Sequence, residues 1–183
     1  MISEQSAVIV PVPEADAVVR PLRTELDRTA VWGVPAHVTV VYPFGAPSDL
    51  GPADLDRLRA AVASVPRFEV TFDEVRWFGD DVVWLAPRPD GGFRALLGAV
   101  VAAFPQYPPY GGAFGSSVPH LTIGAHGERA RLRSAAAEVA RRLPIRAAVT
   151  AAHLFQGSDA PGGWRGVAEL PLGPRRSGPN PGA

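Results

Sequence analysis

A chain of 183 residues is long enough for one substantial hydrophobic core, and with 46% hydrophobic residues it is not a disordered polymer. It contains no cysteine, which excludes disulfides, thiolate metal sites and a cysteine nucleophile. Its 18 basic residues, all arginine, balance 18 acids, so a broad basic surface for coating DNA or RNA is not expected.

In chain order, Ala7 to Val12 is an apolar, β-branched run stopped by Pro13, which predicts a central strand. Val18, Leu22 and Leu26 then recur at helical spacing. They predict an amphipathic helix, kinked at or starting near Pro21, with Arg23, Glu25 and Arg28 outside. Gly33 and Pro35 turn the chain into a short β-branched strand, Val38 to Tyr42. Pro47-Ser48-Asp49 offers a turn before a helix carrying Leu55, Leu58, Val62 and Val65. Phe68 to Phe78 and Val82 to Leu85 predict a hairpin, and Asp90-Gly91-Gly92 opens a helix over Phe93 to Phe104. A Pro/Gly/Tyr loop, Pro105 to Pro119, leads to a second short strand and a helix from about Glu128 to Leu143. Ile145 to Phe155 and Trp164 to Leu170 predict a second hairpin. The Pro/Gly-rich stretch from Gly173 to Ala183 is expected to be a disordered tail. Residues Met1 to Ser6 do not resemble a signal peptide, and the longest apolar run, Ala95 to Phe104, is too short to span a bilayer. The expectation is a monomeric cytoplasmic protein.

The two short strands share a motif. Pro35-Ala-His-Val-Thr places His37 and Thr39 on one strand face, and Pro119-His-Leu-Thr does the same for His120 and Thr122. With four histidines in the chain, two of them followed by threonine at the second place arise by chance on the order of 1 in 150. The flanking elements also repeat: helix, His-x-Thr strand, helix, long strand, strand. Phe68-Glu-Val-Thr-Phe falls opposite Ile145-Arg-Ala-Ala-Val, and Phe78 opposite Phe155. Such duplication predicts a pseudo-two-fold bringing both histidine strands to one cleft, in a single bilobal domain over 1–172.

Two imidazoles flanking one point suit general acid–base chemistry, since an ordinary histidine titrates near ~6.5. In-line displacement at phosphorus needs an attacking oxygen activated on one side and a leaving oxygen protonated on the other. The hydroxyls of Thr39 and Thr122 would bond the non-bridging oxygens, where charge accumulates.

The paired motifs, together with Tyr42-Pro43-Phe44 and Phe104-Pro-Gln-Tyr-Pro-Pro-Tyr-Gly-Gly, resemble the 2H phosphoesterase superfamily, in its 2′-5′ RNA ligase-like branch. The resemblance spans roughly residues 5 to 172. It implies an α+β, bilobal fold with two antiparallel β-sheets forming a central cleft and helices packed outside. It also implies action without metal or other cofactor on 2′,3′-cyclic phosphate ends of a small nucleotide or RNA, giving 2′-phosphates. The catalytic set would be His37, Thr39, His120 and Thr122. Some members carry an arginine a few places after the second motif. Here Ala125 and His126 stand there, and strand parity would put His126 on the face of His120.

Further candidates to hold substrate are Tyr110 in its glycine-flanked loop, Tyr42, and Arg76 and His153 at matching places in the two halves. For each the plain alternative is packing or a solvated edge. Trp77, Trp84 and Trp164 read as core or hairpin cover. Two other functions fit the same residues: 2′-5′ RNA ligation at one shared site, and a nucleotide- or RNA-end-binding module without turnover.

Overall fold

The computed structural model describes residues 4–112 and 117–175. Eight strands alternate with helices: β1 (Gln5–Pro11), α1 (Pro13–Leu26), α2 (Arg28–Val31), β2 (His37–Val41) and α3 (Pro52–Ala63) come first. They are followed by β3 (Phe68–Phe78), β4 (Val82–Arg88), α4 (Gly91–Ala103), β5 (Leu121–Gly124) and α5 (Arg129–Ala140). The strands β6 (Ile145–Val149), β7 (Ala151–Gly157) and β8 (Arg165–Pro171) complete the order.

The strands form one antiparallel sheet in the order β6-β3-β4-β5-β2-β1-β7-β8. The two sheets expected around the cleft are therefore halves of one curled sheet, and the junction between them is the single pair Val38↔Leu121. Each half carries one His-x-Thr strand beside a strand of matching role, β1 against β2 and β4 against β5. The helices cover one face: Val8, Val38, Leu85 and Leu121 pack there with Leu22 and Leu26 of α1, Leu58 of α3, Leu96 of α4 and Leu132 of α5. The opposite face carries a smaller cluster of Ala7, Ile9, Val34, Phe155 and Trp164. None of the helices is long and apolar enough to cross a membrane, among the described residues.

Four expectations change. The strand predicted over Ile145–Phe155 is broken at Thr150: β6 pairs with β3 in one half of the sheet, β7 with β1 in the other. Helix α1 starts at Pro13 and runs through the exposed Pro21, because Pro13 takes the first helical turn, where no N–H is required. Arg23, expected outside, is only 3% exposed, since Asp27 one turn later neutralises it inside. At the C-terminus Gly173 is docked rather than loose. Its N–H donates to the Val65 carbonyl at 2.9 Å, and its carbonyl accepts from the Arg67 N–H at 3.0 Å. The rest of the expected tail, 176–183, lies outside the described residues.

Candidate active site

The β2–β5 junction brings the two motifs side by side. Val38 faces Leu121, so extending this antiparallel register by one residue each way sets His37 across from Thr122 and Thr39 across from His120. Val38 and Leu121 are fully buried beneath the helices, whereas all four motif side chains are partly open on the other face. The arrangement is reciprocal: each histidine lies across the register from the threonine of the other motif.

The rings are anchored alike. His37 Nδ1–H donates to the Pro35 carbonyl at 2.7 Å, and His120 Nδ1–H donates to the Val118 carbonyl at 2.7 Å. A carbonyl can only accept, so Nδ1 carries the proton in the neutral ring and Nε2 keeps the lone pair. In each case the acceptor sits two residues before the histidine, which leaves Nε2 as the working nitrogen.

Burial pushes His37 down to about 4. The nearby Arg23 guanidinium adds to this, the Pro35 carbonyl and Asp27 oppose it, and His120 lowers it a little further. His120 is also lowered by burial, against the pull of its bond to Val118. Burial thus favours the neutral form of both rings.

The two sides of the cleft differ. Beside His120, Phe78 and Trp84 stack with centroids 4.6 Å apart, and the edge contacts of His120 to their rings measure 5.0 and 5.8 Å. Beside His37 and Thr39 a cavity opens to solvent, lined by Thr29, Trp32, Tyr42, Phe155 and Trp164 among others. Trp164 and Trp84, expected as core or cover, are buried as expected, yet each also borders a motif. Trp32 and Thr29 carry no pattern that marks them as site residues. The matching of Phe78 with Phe155 in the duplicated halves is the signal that points to both flanks.

One backbone irregularity, present twice, moves two of the weaker candidates. Ile9 pairs with Thr39 but Val8 pairs with Val41, which leaves Val40 as an extra residue in β2. In the same way Trp84 pairs with Thr122 but Val83 with Gly124, leaving Ile123 extra in β5. Each bulge puts two successive residues on the core face and reverses the alternation beyond it. Tyr42 therefore turns into the cavity, where its phenol donates to Gln5 Oε1. His126 is turned away: it lies past the end of β5, exposed, with its backbone N–H bonded to the Leu26 carbonyl at 2.9 Å. Parity counted without the bulge puts it beside His120, which the structure corrects.

Arg76 pairs with Trp84 and so shares its face, but it is exposed and gives its Nη2 to Glu74 at 2.9 Å. His153 pairs with Ile9 and Glu169 and lines a separate depression with Asp16, Pro35 and Glu169. The Tyr110 side chain lies outside what is described. Among the described residues, no three His, Cys, Asp or Glu side chains converge as a metal site would require.

The whole chain resembles known structures of one kind. E. coli LigT in its apo form superposes with a TM-score of 0.60 at 18% identity, over 94% of this chain and 99% of that one. E. coli LigT complexed with 3′-AMP gives 0.56 at 18% identity, over 93% and 99%. A Thermus thermophilus structure gives 0.58 at 16% identity, over 93% and 98%. These likenesses show the fold. No curated protein sequence matches the chain. Residues 11–160 match the profile of the 2′-5′ RNA ligase superfamily, a span that contains both His-x-Thr strands. The chain belongs to the 2′-5′ RNA ligase superfamily and has the 2H phosphoesterase fold.

Proposed function

We propose that the protein is a metal-independent phosphoesterase that opens 2′,3′-cyclic phosphates of nucleotides or RNA ends, with His37 and His120 as its acid–base pair. The observation that carries this is the matched anchoring: each Nδ1 is bound to a carbonyl two residues earlier, which leaves both Nε2 atoms unused on two strands that the β2–β5 junction sets side by side. In the reaction one neutral imidazole takes a proton from water as its oxygen attacks phosphorus. The bond from phosphorus to the 3′-oxygen breaks, the second imidazole, entering protonated, gives that oxygen its proton, and a 2′-phosphate remains. Thr39 and Thr122 donate to the non-bridging oxygens, whose charge grows as the fifth bond forms.

Burial disfavours a charged ring in the empty cleft, so the proton on the acid is stabilised by the substrate itself. A phosphate anion between the rings supplies the opposite charge that holds one imidazole protonated. The aromatic cavity beside His37 offers a stacking surface for the base of the same substrate. E. coli LigT is described in complexes with 3′-AMP and with NADP+, which supports a nucleotide as the ligand class.

Incubation with a 2′,3′-cyclic nucleotide in excess EDTA should yield the 2′-phosphate. His37→Ala and His120→Ala should each lower the rate by about 10²–10⁴-fold. Wild-type turnover in either variant, or activity that disappears with chelator and returns with a divalent metal, would refute the proposal.

A further inference from the structure

Arg23 and Asp27 are, with Ser6, the buried polar residues of the described chain, and the pair has no evident place in the reaction above. A buried ion pair rarely stabilises more than the apolar residues that would fill its volume, so its presence calls for another reason. Its contacts supply one. Each nitrogen of the Arg23 guanidinium has a protein partner: Nε bonds Asp27 Oδ2 at 3.0 Å, Nη1 bonds the Val34 carbonyl at 3.2 Å, and Nη2 bonds Thr29 Oγ1 at 2.9 Å. Asp27 Oδ1 in turn accepts from the Thr29 N–H at 3.0 Å and from its hydroxyl at 2.8 Å.

One of these bonds reaches Val34, the first of the three residues that lead into His37, and further bonds hold the other two. The Val34 N–H is held by the Thr29 carbonyl at 2.9 Å and the Val34 carbonyl by Arg23. The Pro35 carbonyl is the acceptor for His37 Nδ1. The Ala36 carbonyl accepts from the Val12 N–H at 2.8 Å, and its N–H reaches Asp16 Oδ1 at 3.4 Å. His120, by contrast, is approached by a segment that includes the exposed Val118.

We propose that the buried Arg23–Asp27 pair is a positioning device for His37: the guanidinium fork clamps the Val34 carbonyl and the Thr29 hydroxyl, and so aims His37 Nε2 into the cleft. The inference rests on the acid–base role proposed for His37, and adds that one imidazole of the pair is held by an internal charge while the other is not. The charged and titratable groups that act on His37 are Arg23 and Asp27 from α1 and its end, and His120 just ahead of β5. Of the pair, Arg23 has the larger effect, lowering His37, and neither member acts on His120.

The test is a double variant, Arg23→Met with Asp27→Asn. It removes both buried charges, and the asparagine oxygen still caps α2. Histidine imidazole resonances are followed by NMR across pH, with kcat and KM measured alongside on a 2′,3′-cyclic nucleotide. The expected result is a His37 midpoint that rises, a displaced His37 Nδ1 proton signal and an unmoved His120. With these, kcat should fall by about 10–100-fold while KM changes much less, the pattern of a misaimed rather than a missing group. Native His37 signals and native kcat in the folded double variant overturn the proposal, and equal displacement of His37 and His120 does so too.

If the double variant does not fold, Arg23→Lys keeps the charge and loses the fork. It should leave the His37 midpoint low while displacing the Nδ1 proton signal and lowering kcat. An unchanged signal and rate again overturn the clamp. The spectra separate the two ideas: a wild-type chain inactive on cyclic phosphates refutes the acid–base proposal, whereas an active chain whose His37 ignores Arg23 refutes only the clamp.

Discussion

The pH dependence of turnover follows from where the two imidazoles sit. His37 is held at about 4 against an ordinary 6.5, chiefly by burial, and His120 is lowered in the same direction. At pH 7 a group at that position is protonated in roughly 1 molecule in 1,000. An acid–base pair needs one ring neutral and the other charged, and kcat/KM reports the free enzyme. Its bell should therefore lie on the acid side of neutrality, rising near pH 4 and falling below the ordinary histidine value. By pH 8 the loss from the maximum should reach about 30-fold or more. The two limbs belong to the pair rather than to either ring. The profile of kcat should sit higher in pH, because the bound phosphate anion favours the charged ring. Initial rates on a 2′,3′-cyclic nucleotide from about pH 3.5 to 9, at constant ionic strength, resolve the two profiles. A kcat/KM maximum at or above neutrality would show that burial does not govern these rings in solution.

Other consequences can be measured separately. Thr39→Val and Thr122→Val keep β-branching and should each lower kcat by up to about 10²-fold with the fold intact by circular dichroism. Trp32→Ala should raise KM for a nucleotide more than it lowers kcat if its ring holds the base, and an unchanged KM counts against that role. His37 stays neutral while the unfolded chain takes up a proton below 6.5, so stability falls as pH drops from there toward 4. The loss is at most about 3 kcal/mol, less because the ring is partly open, and urea titrations should show His37→Gln escaping it. At Gly124 an added Cβ would stand 2.9 Å from both Leu132 Cδ2 and Leu26 Cβ. Gly124→Ala should thus cost about 1–3 kcal/mol in the same titrations.

Side-chain chemistry at the motifs is legible because a strand repeats every second residue, and His37, Thr39, His120 and Thr122 lie before any irregularity. Tyr42 and His126 lie after one. A bulge adds a residue without altering composition, so Val40 and Ile123 carry no mark in the sequence, and every parity argument beyond them reverses. Arg23 escapes the pattern for a different reason. Helical periodicity scores each residue alone, and the reach of a guanidinium to Asp27, Thr29 and Val34 exists only once α1, α2 and the approach to β2 have packed. The long strand after α5 reads as unbroken because nothing at Thr150 announces a change of partner. The fact that Ile145–Val149 and Ala151–Gly157 serve different halves of the sheet is a property of the assembled topology.

That same partition bears on how the protein comes into being. The half of the sheet containing His37 is built from β1 and β2 at the start of the chain and β7 and β8 at its end, while β3 to β6 make the other. During synthesis, β1 and β2 emerge before β3 to β6 and remain an unfinished two-stranded ribbon until β7 and β8 have followed. A two-stranded ribbon alone is marginal in water. The middle half can close earlier, so His120 should find its place before His37 does. A chain truncated ahead of β7 would keep one complete motif in a formed sheet and leave β1, the neighbour of the other motif's strand, as an open edge, the kind of surface that invites pairing with another chain.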